Sequence, residues 1–230
     1  MKQGLLLDKV VLLGRTFEEY SRYFALDPDA LRGQSVLDVA SGVSSFCAES
    51  RQLGLNTTAF DRIYELPLEQ IRARCEPDLD HVIKSIGGLR TYKWDFYKSP
   101  ENLRVYRERA YKTFLTDYAH HRGTRYRAGQ LPHLPFADGQ FDLTLVSYLL
   151  FVYEVQFDYE FHRRSVLDIM RVTRGEARFY PVVSFEARRC RYIDQLKSDP
   201  TLQHLRFDEI QTDFEFLANS NWFLRIRHAG

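Results

Sequence analysis

Residues 35–46, with the sequence SVLDVASGVSSF, constrain the fold more than any other stretch of the chain. An apolar run interrupted by Asp38 gives way to small residues around Gly42, and a helix-compatible segment continues to Leu53. This pattern predicts a β-strand, a tight turn and the N-terminus of a helix. Nucleotide-like ligands bind at such strand ends in open parallel sheets, because small residues let the backbone approach the ligand and the first helical N–H groups point towards it.

A second apolar segment, residues 57–60, ends at Asp61. If this segment forms the next parallel strand, Asp61 lies at the same edge of the sheet as Gly42. An acid at that position can accept hydrogen bonds from both hydroxyls of a ribose. We therefore predict that Asp61 and its neighbour Arg62 contribute to a ligand site beside the glycine turn.

The glycine turn discriminates between two cofactor families. A dinucleotide site has the pattern G-x-G-x-x-G, whereas this chain has Ala40, Gly42 and Ser45 at those positions, which disfavours a pyrophosphate ligand. The order of Asp38, Ala40, Gly42 and Ser44 instead resembles the first motif of the class I S-adenosylmethionine (SAM) dependent methyltransferases, D/E-x-G-x-G-x-G. Small residues replace two of the three glycines, so the motif is degenerate. The resemblance implies SAM as co-substrate or sole substrate, with a binding site that includes Asp38, Ala40, Ser41 and Gly42.

Residues 129–147, GQLPHLPFADGQFDLTLVS, resemble a second pattern of this family, G-D-A-x-x-L-P-F-x-D-x-x-F-D-x-V. Gln130 stands where the family often has an Asp that accepts from the adenine amino group. Leu131 stands where a backbone N–H usually meets the adenine ring. Residues 141–147 are then the central buried strand, and its last residue, Ser147, is expected to face the same crevice as Gly42.

The resemblance covers residues 35–227, nearly the whole chain, and implies an α/β fold. We expect a Rossmann-like, seven-stranded, mostly parallel sheet that is closed by a C-terminal antiparallel hairpin. Residues 212–216 and 222–226 are the expected hairpin strands, joined across an Asn-Ser-Asn turn. Residues 1–230 are expected to form a single SAM-binding domain.

Two additional helical segments are predicted outside this sheet. Apolar residues recur at helical spacing over residues 1–31, which we interpret as an N-terminal helical lid. Within this lid, Arg15 could pair with a ligand carboxylate, and Tyr20 is expected to contact the cofactor. Residues 62–122 exceed what this part of the fold usually contains. They are expected to form an inserted helical cap, with helices over residues 63–74, 79–89 and 100–121.

Composition sets outer limits on function. The chain has 230 residues, of which 44% are hydrophobic, so it is long enough for one full α/β core. Its formal net charge is +1, which disfavours attraction to nucleic acid or to an anionic membrane. Its three cysteines suggest neither a disulfide framework nor a metal site. A leader and a long apolar run are not recognisable, so a cytoplasmic monomer or homodimer that acts on a small molecule is expected.

Evidence on the reaction comes from the residues after the central strand. The Asn-Pro-Pro-Tyr sequence typical of amino methylation of DNA bases or glutamine is replaced by SYLL at residues 147–150. Aromatic residues follow closely, and ring faces stabilise a sulfonium by about 0.5–2 kcal/mol when desolvated. The candidate catalytic residues are Tyr148, Phe151 and Tyr153. The side chains that could remove a proton from an acceptor are Glu154, His162 and Tyr153.

Three functions remain open from the sequence. The first is methyl transfer to a small molecule by in-line displacement under the helical lid. In the second, SAM is the only substrate: its amino group attacks its own γ-carbon and releases methylthioadenosine, as in azetidine-2-carboxylate synthases. The third is a SAM-binding protein without catalytic turnover, which the degenerate glycine motif would permit.

Overall fold

The central strands are the most deeply buried segments of the chain, because nearly every side chain in them is apolar or hydrogen-bonded. In the computed structural model, which describes residues 11–230, Val36, Leu37 and Val39 of the first strand are buried, and the fourth strand is buried from Leu143 to Ser147. Runs that are buried on both faces are typical of parallel strands covered by helices on each side. The elements in chain order are α1 (Phe17–Tyr23), β1 (Ser35–Val39), α2 (Phe46–Gln52), β2 (Asn56–Asp61), α3 (Leu68–Ile86), α4 (Pro100–His121), β3 (Tyr126–Ala128), β4 (Phe141–Ser147), α5 (Tyr159–Val172), β5 (Thr173–Tyr180), α6 (Tyr192–Ser198), β6 (Leu205–Gln211) and β7 (Trp222–His228).

The seven strands form one sheet in the order β3-β2-β1-β4-β5-β7-β6. The first five are parallel, whereas β7 is antiparallel to both β5 and β6. This arrangement confirms the predicted Rossmann-like sheet with a C-terminal antiparallel hairpin. The strand order reverses direction between β1 and β4, and ligands of open α/β sheets bind outside the carboxyl ends of the strands at such a point.

The hairpin begins earlier in the chain than predicted. Its first strand is Leu205–Gln211, and the prediction of a strand over residues 212–216 is wrong. Phe214 and Phe216 leave the sheet and pack against Tyr97, with ring centroids 6.0 and 4.7 Å away. Their apolar surface is therefore buried against the segment before α4 rather than within the sheet.

Residues 62–122 contain two long helices instead of the three that were predicted. The predicted helix over residues 100–121 is confirmed as α4, but the helices predicted over 63–74 and 79–89 are one helix, α3, with Pro77 inside it. Buried Ile71, Cys75, Leu79, Val82 and Ile86 continue one apolar face across the proline. Packing of this face holds both halves in line although proline removes a helical hydrogen bond.

The N-terminal helix is much shorter than predicted. Only α1 is helical, residues 11–16 and 24–31 are not, and residues 1–10 lie outside the described residues. We call residues 11–16 the strap. Gly14 approaches the glycine turn so closely that a Cβ atom there would lie 2.2 Å from the carbonyl oxygen of Val43. The Arg15 carbonyl accepts hydrogen bonds from Ser44 Oγ (2.6 Å) and from the Ser45 N–H (3.0 Å). These contacts hold the strap against the turn in a non-helical conformation.

A buried ion pair joins α1 to α4. The Glu19 carboxylate, which is fully buried, accepts from Arg107 Nη1 at 2.5 Å and from the Tyr23 hydroxyl at 3.0 Å. Arg107 Nη1 also donates to the Gly14 carbonyl at 3.1 Å. Glu19 completes the N-cap of α1 as well, because its carboxylate accepts from the Thr16 N–H at 2.8 Å. The guanidinium of Arg107 lowers the pKa of Glu19 against the opposing effect of burial.

No helix within residues 11–230 has both the length and the apolar character needed to cross a membrane.

Arg107→Leu is expected to lower the free energy of unfolding by about 3–5 kcal/mol, because it leaves the Glu19 carboxylate buried without its cation. Arg104→Leu on the same helix is the matched control. Arg104 pairs with Asp80 at 2.5 Å, but both side chains are partly exposed, so its loss should cost at most about 1 kcal/mol. Urea unfolding followed by circular dichroism measures both values, and equal losses would show that the buried pair has no special role.

Candidate active site

The carboxyl ends of β1, β2 and β4 open into one cavity of about 680 Å³. This volume lies within the range typical of small-molecule sites, about 300–1,000 Å³. The cavity is lined by twelve of the fourteen predicted site residues: Arg15, Tyr20, Ala40, Ser41, Gly42, Asp61, Arg62, Gln130, Leu131, Ser147, Tyr148 and Tyr153. The structure therefore brings together residues from five separate parts of the sequence, within residues 15–20, 40–42, 61–62, 130–131 and 147–153.

The glycine turn exposes backbone to this cavity. Gly42 has a φ of +55°, and a Cβ atom there would meet nothing within 4 Å. Ala40 has a φ of +57°, a left-handed conformation that costs a residue with a side chain about 1–2 kcal/mol. Ser44 replaces a family glycine, and its hydroxyl binds the strap through the Arg15 carbonyl. The turn thus keeps the open backbone at Gly42 and uses a substituted position to hold the strap.

Asp38 lies behind the cavity and does not line it. Its fully buried carboxylate accepts from the Tyr20 hydroxyl at 3.0 Å and from Ser41 Oγ at 2.6 Å. Burial raises the pKa of Asp38 from 3.8 to about 7, although the two hydrogen bonds oppose this shift. The structure thus places Asp38 where it ties α1 to the glycine turn.

Asp61 faces the cavity and also organises the backbone around it. Its Oδ2 accepts from the Gly42 N–H and its Oδ1 accepts from the Ile63 N–H, both at 2.8 Å. Burial raises the pKa of Asp61, and these two hydrogen bonds oppose the rise. Each carboxylate oxygen keeps a further lone pair, so Asp61 can still accept from ligand hydroxyls.

Arg15 carries a positive charge into the cavity without a balancing carboxylate. Among residues 11–230 it forms no ion pair: Nη1 donates to the Leu13 carbonyl at 2.8 Å, and Nε is buried without a partner. Its guanidinium lies 3.8 Å from the ring centroid of Tyr148. The hydroxyl of Ser147, which also lines the cavity, is buried without a partner too. Since unsatisfied buried polar atoms are costly, both atoms suit a site that binds a polar ligand.

The three candidate catalytic residues occupy different environments. Tyr148 follows β4 with a φ of +53°, a strained conformation that occurs frequently at functional sites. Tyr153 lines the cavity, and burial raises its pKa to about 12. Phe151 does not line the cavity, because its ring packs between His162 and Phe179 with centroids 5.7 and 5.9 Å away.

Two of the three proposed proton acceptors also lie outside the cavity lining. Glu154 accepts from the backbone N–H of Arg191 at 3.0 Å. His162 is buried under Phe151, and its Nδ1 lies 2.8 Å from the Asp158 carbonyl oxygen. Of the three, only Tyr153 lines the cavity, and its raised pKa keeps the phenol protonated at neutral pH, where it cannot accept a proton.

One wall of the cavity consists of residues that were not among the predicted site residues. Leu79, Val82, Ile83 and Ile86 of α3 line it, together with Tyr92. The spacing of the four α3 residues is that of one apolar helix face, and this was the available signal. The face was not identified because an apolar helix face normally packs against the protein core.

Comparison with known proteins gives one near relative and several distant structural likenesses. No family model matches the chain. The uncharacterized protein MJ0045 of Methanocaldococcus jannaschii is 36% identical over 223 residues, which cover 96% of this chain and 97% of that protein.

The structural likenesses are weaker than this sequence match. A putative SAM-dependent methyltransferase of Methanococcus maripaludis is 10% identical, with a TM-score of 0.42 over 93% of this chain and 84% of that chain. Magnesium protoporphyrin IX methyltransferase of Synechocystis is 10% identical, with a TM-score of 0.48 over 93% and 78%. Likenesses at this level assign neither ligand nor reaction, and the strand order itself establishes the fold.

Replacing Asp38 should change how stability depends on pH. Between about pH 4 and pH 7 the folded protein retains a proton on Asp38 that the unfolded chain has lost, so this carboxyl makes stability fall as pH rises. Relative to Asp38→Asn, which cannot ionise, the wild type should lose on the order of 4 kcal/mol over this interval.

Urea unfolding at several pH values between 4 and 7 measures this difference. Asp29→Asn, at a side chain that is 86% exposed, is the control and should parallel the wild type. A constant difference between wild type and Asp38→Asn would contradict the raised pKa.

Proposed function

We propose that this chain, which belongs to the same family as the uncharacterized protein MJ0045 of Methanocaldococcus jannaschii, is a SAM-dependent methyltransferase that acts on a small molecule. The observation that carries the proposal is the single cavity at the carboxyl ends of β1, β2 and β4. It combines an open glycine turn, an acid at the second strand and an unpaired guanidinium with an apolar wall. The first three features fit SAM, and the apolar wall provides space for an acceptor.

Each polar part of SAM has a counterpart among the cavity residues. Asp61 would accept from the ribose hydroxyls, and Gln130 with Leu131 would meet the adenine. The open backbone at Gly42 would lie against the methionine part. Arg15 would bind the carboxylate through its planar fork, which suits bidentate pairing. The orphaned hydroxyl of Ser147 would gain a partner in the same region.

SAM supplies an activated methyl group on a sulfonium, and the chain supplies alignment and exclusion of water. Val11, Leu12 and Leu13 of the strap line the cavity, as does the apolar face of α3. We propose that the strap, as part of the N-terminal lid, and the helices of residues 62–122 form a cover over both ligands. Holding two reactants in line supplies much of the rate in such transfers.

The alternatives fit the cavity less well. A cyclase that uses SAM alone needs its acceptor space filled by side chains, whereas this cavity extends along α3 as far as Ile86. A non-catalytic binding protein would need no such space either. The extension along α3 therefore supports methyl transfer over both alternatives.

The reaction products distinguish the three functions. Purified protein is incubated with methyl-labelled SAM, first alone and then with a small-molecule extract of Methanocaldococcus jannaschii cells, and the products are identified by mass spectrometry. S-adenosylhomocysteine and a labelled metabolite are expected only when extract is present. Methylthioadenosine formed from SAM alone would establish cyclisation, and bound SAM that is never consumed would favour a binding protein.

Arg15→Met should raise the dissociation constant of S-adenosylhomocysteine by about 10- to 150-fold, which corresponds to the loss of a charged hydrogen bond of about 1.5–3 kcal/mol. Arg22→Met is the matched control on the neighbouring helix, because Arg22 is half exposed, does not line the cavity, and contacts Glu18 at 3.8 Å and the Phe96 ring at 5.0 Å. Isothermal titration calorimetry provides both constants. Equal affinities in wild type and Arg15→Met would remove the carboxylate assignment.

A further inference from the structure

The cavity changes character along α3. Its charged lining residue on this helix, Arg74, already pairs with Asp78 at 3.3 Å, whereas Val82, Ile83 and Ile86 are apolar. At 1.5 Å per residue, Ile86 lies roughly 18 Å further along the helix than Arg74. On α3, the charged lining residue is therefore well separated from the apolar ones.

We call the apolar part the acceptor chamber. It is lined by Val82, Ile83, Ile86, Tyr153, Phe161 and Leu217. Several of its side chains are fixed by packing: Tyr153 contacts Phe185 edge to face at 5.0 Å, and Phe161 stacks on Phe157 at 4.4 Å. A rigid apolar wall selects a ligand by its hydrophobic shape.

From these observations we propose that the acceptor is a hydrophobic amine, which enters the acceptor chamber uncharged and is methylated on nitrogen. The inference rests on the proposed function and adds to it the substrate class and the reacting atom.

The first argument is the lack of a partner for a charged acceptor. The carboxylates that line the cavity, within residues 11–230, are Asp61 and Glu65, which lie at and just after the end of β2, and no imidazole lines it. The titratable groups in the walls of the acceptor chamber are the phenols of Tyr153 and Tyr92, whose pKa values are raised by burial. The charged groups that act on them are the Arg15 guanidinium, which would repel an ammonium, and, for Tyr153, Asp78, which pairs with Arg74. Charged groups that enter such surroundings without a counter-ion pay a large desolvation cost.

The second argument is the opposite effect of burial on nitrogen and oxygen nucleophiles. Burial lowers the pKa of an amine, so the acceptor chamber keeps the nitrogen deprotonated with its lone pair available. Burial raises the pKa of a phenol or alcohol, so an oxygen acceptor would need a protein base. Since the titratable groups in the walls of the acceptor chamber are neutral phenols, an acceptor that reacts through nitrogen needs no protein base.

The transfer is balanced without another reactant. The nitrogen lone pair forms the new N–CH₃ bond as the S–CH₃ bond breaks, and that bonding pair stays on sulfur. The positive charge moves from sulfur to nitrogen, and the methylated ammonium then releases a proton to water. The products are the N-methyl amine, S-adenosylhomocysteine and a proton.

The experiment uses three probes with one apolar body: benzylamine, benzyl alcohol and benzyl mercaptan. Each is titrated calorimetrically into protein saturated with S-adenosylhomocysteine, at pH 7 and pH 9. Benzylamine is expected to bind at least about threefold more tightly at pH 9, because only its neutral form enters an apolar site, while benzyl alcohol binds equally at both. With SAM, only N-methylbenzylamine should form.

Two variants locate the binding. Ile83→Phe adds bulk to the acceptor chamber at a partly exposed position and should weaken all three probes by at least about tenfold, with S-adenosylhomocysteine binding unchanged. Val105→Phe, at a residue that is 61% exposed on α4, is the matched control and should change neither.

Each other outcome has a definite meaning. Failure to bind S-adenosylhomocysteine would overturn the proposed function itself. If S-adenosylhomocysteine binds and no probe does, the acceptor chamber is assigned wrongly. Tighter benzylamine binding at pH 7, methylation of the alcohol or thiol, or binding of benzylamine without methylation would overturn the assignment of nitrogen.

Discussion

The buried pair of Glu19 and Arg107 is the interaction on which the arrangement of the site depends. Glu19 caps α1 through Thr16, and Arg107 binds the Gly14 carbonyl, so the pair fixes both ends of the turn that carries Arg15. Isolated buried charges are costly, and this pair is satisfied by hydroxyl donors as well. Both charges keep their partners only when α1, α4 and the strap are packed together, so the position of the strap at the cavity is part of the folded structure.

The degenerate glycine motif is explained by the same strap. A glycine at position 44 could not donate to the Arg15 carbonyl, as Ser44 does at 2.6 Å. Ala40 accepts a left-handed backbone because its neighbours hold it: its N–H donates to the Phe60 carbonyl at 2.8 Å. The one glycine that remains, Gly42, is the position whose Cβ would enter open space. Ala40 and Ser44 line the cavity as well, but each also binds a neighbouring segment, Ala40 through its N–H to Phe60 and Ser44 through its hydroxyl to Arg15.

Sequence reasoning was sufficient where a local pattern decides the structure. Apolar runs and turns in the sequence predict where β1, β2 and β4 end, at Val39, Asp61 and Ser147. Because these strands are parallel, their ends meet at one edge of the sheet. Prediction from the sequence failed where contacts between residues distant in the sequence determine the structure. Gly14 breaks the helical pattern of the strap only because Val43 lies against it, and Pro77 remains helical only because α3 packs along its whole length.

Two features of the site could be identified only from the three-dimensional structure. The strand β3 has only three residues and is defined by its pairing with Ala59, Phe60 and Asp61, which no local signal reveals. The sequence of α3 predicts a helix face that packs in the protein core. The spacing of its apolar residues is the same whether that face contacts other side chains or lines a cavity. Phe151, conversely, belongs to an aromatic run that suggested the site, yet it packs on His162 instead.

The position of Arg15 limits how a sulfonium could be held. One face of Tyr148 is already covered by the guanidinium at 3.8 Å, so that face is closed to a second cation. Two positive charges in a poorly solvated cavity repel each other, and the repulsion decreases when a carboxylate neutralises Arg15. SAM carries such a carboxylate on the same molecule as its sulfonium. A ligand with both groups therefore suits this cavity better than a simple cation. Its carboxylate would neutralise Arg15, and this reduces the repulsion between Arg15 and the positively charged sulfonium.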